Sequence, residues 1–177
     1  MNSLALLLLS LSVSPSTVSA LPSGGDTQLQ SRQDIQSQAL DLHNNARAQF
    51  GASPLTWNGE ILGQVQAHAN KCVFEHSGDS GVGENIAAGT GNFGMSNAMD
   101  SWMGEASKYD YNNPGFSDAT GHFTQVVWKS TTQVACAIAS CGANTIFSDP
   151  SHFVVCQYTP PGNFAGEFPQ NVGRPVN

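Results

Sequence analysis

At 177 residues, with 40% hydrophobic side chains, the chain is long enough for one domain with a buried core. A net charge of -7 and six scattered basic residues argue against a nucleic-acid or anionic-membrane partner, since both need clustered Lys and Arg. Four cysteines suit two disulfides in an oxidising compartment and leave three pairings open.

Residues 1–20 (MNSLALLLLSLSVSPSTVSA) hold an apolar run at 4–11, too short to span a bilayer. Val18, Ser19 and Ala20 then supply the small residues of a signal-peptidase site, so the segment reads as a cleaved secretory signal. No later segment is apolar enough to be a transmembrane segment, and no Asn-x-Ser/Thr glycosylation acceptor occurs. Residues 21–33 (LPSGGDTQLQSRQ) are polar, Gly/Ser-rich and aperiodic, as in a flexible leader or pro-segment. The folded domain is expected over 34–177.

Ile35, Ala39, Leu42, Ala46 and Phe50 recur at three-to-four spacing and predict a helix over 34–50, stopped at Gly51. A second helix is expected from Asn58 as N-cap, with Trp57 and Leu62 as a hydrophobic staple. Leu62, Val65, Ala69 and Cys72 would form its inner face. A third helix over 96–109 has Met99, Trp102, Ala106 and Tyr109 on one side. The period then shortens to two, and 123–128, 133–141 and 153–158 read as strands, with 129–132 as a hairpin turn. Both parities of these strands are mostly apolar, which predicts an α+β fold with helices on both faces of an antiparallel sheet.

Strand parity constrains the disulfides. Cys136 and Cys141 are an odd number of residues apart and face opposite sides. One meets Cys156 on a neighbouring strand and the other reaches Cys72 on a covering helix; parity alone does not say which. Pairing of the last two strands about a loop centred near Ile146 places Cys136 opposite Cys156 and favours Cys136–Cys156 with Cys72–Cys141.

GHFTQVVW at 121–128 and HFVVCQYTPPGNF at 152–164 resemble the two signature motifs of the CAP superfamily, which groups cysteine-rich secretory proteins, antigen 5 and pathogenesis-related 1 proteins. AxxxHNxxRAxFGxxPLxWN at 39–58, ANKCVFEHS at 69–77, GENIAAG at 83–89 and WxxExxxYDY at 102–111 extend the likeness. It is greatest to the fungal and plant pathogenesis-related 1 branch, because no cysteine-rich C-terminal module follows. The resemblance implies a three-layer α-β-α sandwich and disulfides like those favoured above. The chain departs from many plant members in lacking a cysteine pair around GHFTQ.

The resemblance also implies a cleft lined by His76, Glu84, Glu105 and His122. Its physical basis is that two imidazoles hold a divalent metal, zinc or magnesium, weakly and with water in the open positions. The glutamates then orient the rings. The other reading of the same four residues is a structural hydrogen-bond network. His43 reads as structural, His68 as solvated and His152 as a strand cap. Ser77 beside His76 lacks a GxSxG turn, and no HExxH occurs, so no nucleophile or hydrolase motif is evident and a non-enzyme is expected. Tyr109, Tyr111 and Phe116 in YDYNNPGF resemble the aromatic-spaced segment of fungal sterol-binding members, where flat rings suit a flat apolar ligand. The resulting expectation is a secreted, extracellular binder of a sterol or fatty-acid ligand. An extracellular protein-recognition module using the His/Glu cleft and a metal-dependent hydrolase are the alternatives.

Overall fold

The apolar stripe on the first helix sets one layer of the molecule. Ala39 and Ala46 are buried on α1 (Gly24–Gln49), Phe50 joins them from just beyond its end, and Ile35 and Leu42 pack at the margin of the same cluster. The computed structural model describes residues 24–176, with side chains from residue 34, so the expected signal segment at 1–20 lies outside it. Helix α1 begins at Gly24 and not at residue 34, and so takes in most of the expected leader. It ends as expected: Gly51 has φ +66°, the Ala52 amide donates to the Arg47 carbonyl and the Gly51 amide to that of Ala48. This is the double closure that a left-handed C-terminal glycine permits.

Strand β1 (Thr56–Trp57) precedes α2 (Leu62–Ala69). Asn58 does not cap α2. Its Oδ1 accepts from the Glu60 amide at 3.1 Å, a local turn that delays the helix to Leu62. Strand β2 (Gly83–Thr90) was not anticipated, and α3 (Met95–Gly104) passes into a 3-10 turn at Glu105–Lys108 where one helix over 96–109 was expected.

The segment expected as the first long strand is a helix, α4 (Gly121–Val126), so 129–132 joins a helix to a strand and is no hairpin. Phe123, Val126 and Val127 all enter one core cluster. That i, i+3, i+4 set is a helical face, and it outweighs the β propensity of the valines.

Strands β3 (Gln133–Cys141) and β4 (Ser151–Thr159) pair antiparallel from Gln133↔Thr159 to Cys141↔Ser151, followed by α5 (Phe168–Asn171). The sheet order is β1-β3-β4-β2, with β1 parallel to β3, so the sheet is mixed and not wholly antiparallel. On one face Val134, Cys136, Val154 and Tyr158 pack with α1, α3 and α4. On the other Ala135, Ala137, Phe153 and Val155 pack against Val65 and Ala69 of α2. The result is the three-layer α-β-α arrangement.

Both disulfides join the expected partners, Cys136–Cys156 between directly paired residues and Cys72–Cys141 from the end of α2 to the sheet. Arg47 is fully buried, with no acidic partner among the described residues. Its guanidinium donates to the carbonyls of Ser53, Val126, Trp128 and Thr131 at 2.7–3.0 Å. Burial lowers its pKa to about 10, so it stays charged at neutral pH. His43, one helical turn away, is fully buried. Its Nδ1–H donates to the Ala39 carbonyl at 2.7 Å, and Nε2 accepts from the Tyr158 hydroxyl at 2.8 Å. His68 is not solvated as expected: it is buried beside Phe153 and bonds the Glu75 carbonyl at 2.9 Å. His152 bonds the Gly91 carbonyl at 3.1 Å, beyond the end of β2.

Replacing both cysteines of the 69-residue Cys72–Cys141 loop with alanine is expected to cost about 4 kcal/mol, and of the 20-residue Cys136–Cys156 loop about 3 kcal/mol. Urea denaturation of the two double variants measures both. Burial, opposed by the Ala39 bond and aided by the Arg47 charge, lowers the His43 pKa from 6.5 to about 4. Between those values the unfolded ring binds a proton that the folded ring refuses. Stability is therefore expected to fall as pH drops through this window, by on the order of 3 kcal/mol from His43. A flat urea-denaturation profile across it would contradict a neutral buried ring.

Candidate functional site

The cleft forms at the free edge of the sheet, where loops from the two helical layers meet over β2. Alternation along an edge strand sends Glu84 and Asn85 to opposite faces. Glu84 pairs with Gln157 of β4 and turns to the α2 side. Asn85 pairs with Cys156 and turns to the α1 side. Glu84 is thus a strand residue, and His76 belongs to the loop before that strand.

The four residues resolve into two imidazole–carboxylate pairs. His76 Nδ1 meets Glu84 Oε1 at 2.9 Å, and His122 Nδ1 meets Glu105 Oε1 at 2.7 Å. Each carboxylate is held again from behind. Glu84 accepts the Ser77 amide at 2.9 Å, and its other oxygen accepts from Gln157 Nε2 at 2.9 Å. Burial pushes the Glu84 pKa up, but hydrogen bonds from Gln157, Ser77 and His76 outweigh it and leave the carboxyl below its ordinary range. Glu105 Oε2 accepts the amides of His122 at 3.0 Å and Phe123 at 3.1 Å. Thr120, the N-cap of α4, makes no side-chain cap bond, so Glu105 caps that helix from another element. Trp102, three residues before Glu105, stacks on the His122 ring at 6.3 Å and 16°.

His76, Glu84, Asn85 and His122 line a cleft of about 210 Å³, closed on its other side by Phe116, Asp118, Gly121 and Asn163. Glu105 stands behind the His122 ring and does not line it. No Lys or Arg lines the cleft, so its fixed charges are negative. Among the described residues the hydrogen bonds of both rings use Nδ1, which leaves both Nε2 atoms as the donor positions a cation would meet. A carboxylate on Nδ1 is the usual support of a metal-binding histidine, and each ring has one. Among the described residues, one set of three donors lies within 4.8 Å: His43, Cys136 and Cys156. Those cysteines are joined to each other and both His43 nitrogens are hydrogen-bonded, so that set holds no metal. Ser77 Oγ accepts from the Asp79 amide and from Gln157, while the His76 ring turns to Glu84; the two do not form a nucleophile–base pair.

The aromatic loop is not a single wall. Tyr109 is buried in the core; Tyr111 meets it edge-on at 4.9 Å and lies under the Arg174 guanidinium, also at 4.9 Å. Phe116 is 59% exposed. Its ring lies over Gly121, where a Cβ would come within 2.8 Å of it and push the ring aside. Phe116 also borders a second hollow of about 280 Å³ with Tyr109, Asn113, Pro114 and Thr120. Loop and tetrad therefore meet at Phe116. Asn85, Asp118, Gln157 and Asn163 were not anticipated.

This sheet edge, with its paired histidines and glutamates between two helical layers, defines a CAP domain, and residues 40–158 match the model of the cysteine-rich secretory protein family. The chain belongs to that family. It is 38% identical over 144 residues to Protein PRY2 of Saccharomyces cerevisiae, covering 78% of this chain but only 41% of PRY2. It is 37% identical over 144 residues to pathogenesis-related protein 1A of Nicotiana tabacum, covering 77% of this chain and 82% of that protein. The crystal structure of NaASP2 with Zn2+ superposes with a TM-score of 0.63 at 25% identity, covering 80% of this chain and 87% of that one.

Replacing Glu105 with alanine strips two amides and one imidazole of their acceptor. It is expected to destabilise the domain by about 2 kcal/mol. Glu105→Gln, which keeps one acceptor oxygen, should lose less; urea denaturation of the two variants gives the order.

Proposed function

We propose that this PR-1-like CAP protein is a secreted, extracellular, non-enzymatic binder of a small lipid, of sterol or fatty-acid type, that rests against Phe116. The observation that carries this reading is the Phe116 ring, 59% exposed at the junction of two hollows on a loop anchored by buried Tyr109. An exposed aromatic face in a concavity is apolar area that a flat ligand removes from water. Tyr109 and Tyr111 serve the loop and not the ligand: one is core, and the other is covered by Arg174. Two disulfides fit an oxidising, extracellular setting. Among the described residues no helix is long and apolar enough to cross a membrane.

A specific observation favours a second capacity: the free Nε2 positions of His76 and His122 in a cleft whose fixed charges are negative. These rings would hold a divalent ion such as zinc, which would supply a positive charge at the cleft floor. Glu84 and Glu105 would keep the rings oriented, and the protein's own contribution is that preorganisation.

Phe116→Ala is expected to weaken binding of radiolabelled cholesterol by roughly 1–3 kcal/mol while leaving the denaturation midpoint nearly unchanged. Tyr111→Ala should instead lower stability. Normal cholesterol binding by Phe116→Ala would remove the lipid reading and leave the polar cleft as a protein-contact surface. Zinc affinity, measured by calorimetry, should drop in His122→Ala. Equal affinity in the variant would sink the metal capacity.

A further inference from the structure

His43 and the cleft do not touch, yet an unbroken line of hydrogen bonds joins them through the core. The direction of each bond follows from chemistry. The Ala39 carbonyl can only accept, so His43 Nδ1 carries the proton at 2.7 Å. A neutral ring has one proton, so Nε2 accepts, and the Tyr158 hydroxyl donates to it at 2.8 Å. The Tyr158 oxygen is then free to accept, and Asn85 Nδ2 donates to it at 3.3 Å. The second proton of that amide goes to the His122 carbonyl at 3.0 Å. A flipped Asn85 amide would set oxygen against oxygen at His122, so its orientation is also determined. All three side chains are at most 1% exposed.

We infer that His43, Tyr158 and Asn85 are positioning residues of the cleft, holding the His122 backbone from beneath so that its amide and ring meet Glu105. The inference rests on the reading of the cleft as a binding site. Its strength lies in where Asn85 sits. Glu84 and Asn85 are neighbours on the edge strand, and each serves one histidine, Glu84 the ring of His76 and Asn85 the backbone of His122. The spacing between the two imidazoles is therefore carried by one strand paired over eight residues with β4. Arg47 lies near His43 and contributes a fixed positive charge, but the chain of donors and acceptors closes without it.

Tyr158→Phe tests this, because it keeps the ring and removes only the oxygen. Amide hydrogen exchange is followed on the full chain. The His122 and Phe123 amides, which donate to Glu105, are expected to exchange about fivefold faster relative to the β3–β4 amides, the equivalent of one buried hydrogen bond. Val155→Ala, on the opposite face of the same strand, is the control and should lower protection at all sites together. Asn85→Ala is the second variant and should expose the same two amides, giving a readout where Tyr158→Phe folds poorly. Zinc affinity should fall by a similar factor in both variants, with the Ser77 amide unchanged. If His122 and Phe123 move only in proportion to the rest of the molecule, as in Val155→Ala, the positioning role is overturned. If the exchange signature appears but the wild-type protein takes up no zinc, the metal reading fails while the positioning role stands.

Discussion

The cleft depends on a six-residue helix that could not stand alone. A helix this short does not recover the entropy of its own nucleation. It is clamped from outside at both ends: Glu105 receives the amides of its first turn, and Arg47 donates to the carbonyls of Val126 and Trp128 at its last. An acid at the amino end and a base at the carboxyl end is the arrangement the helix dipole favours. The same Glu105 carboxylate accepts from the His122 ring, so capping the helix and aiming the imidazole are one interaction. Arg47, meanwhile, ties the far end to α1 and to the turn before β3. No local feature of GHFTQV would produce this geometry without those two distant residues.

The position of the site follows from sandwich architecture. The sheet interior is filled on both faces, so the cleft lies at the exposed margin of β2. There, successive residues of one strand address different layers, and small residues permit close approach. A Cβ on Gly83 would overlap the Gln125 side chain, so the strand can enter the sheet there only as glycine. Buried polar side chains gather at the same margin: Asn85, Gln125 and Gln157 each have hydrogen-bond partners. Their satisfaction offsets the cost of placing amides against an apolar core.

Much of this was legible from residue order. Helices α1 and α3 declared themselves through apolar residues three and four apart, and parity of the cysteines on β3 foretold that the two disulfides would use opposite faces of the sheet. The tetrad was legible through its motifs. Strand β2 was not, because GENIAAGT has neither bulk nor alternation; its conformation comes from eight paired residues on β4. Helix α4 was hidden by its valines, whose strand preference is overridden by two remote charged groups. The supporting amides Asn85 and Gln157 were invisible for a related reason: their importance lies in partners brought close by the sheet, and nothing in the local pattern marks them. The loop was misjudged in the opposite direction, since aromatic spacing grouped three rings that the fold distributes among core, flank and surface.

The Cys136–Cys156 bond joins residues directly opposite each other on β3 and β4, and the two residues that follow Cys156 are Gln157 and Tyr158. Gln157 braces Glu84 and Tyr158 braces Asn85, on opposite faces of the sheet. A slip of one residue between these strands would exchange the faces of both braces and leave each histidine without its support. The covalent link makes that slip impossible. It therefore acts as a stored record of strand alignment, written when the thiols are oxidised, and the cleft inherits its accuracy from a bond that does not line it.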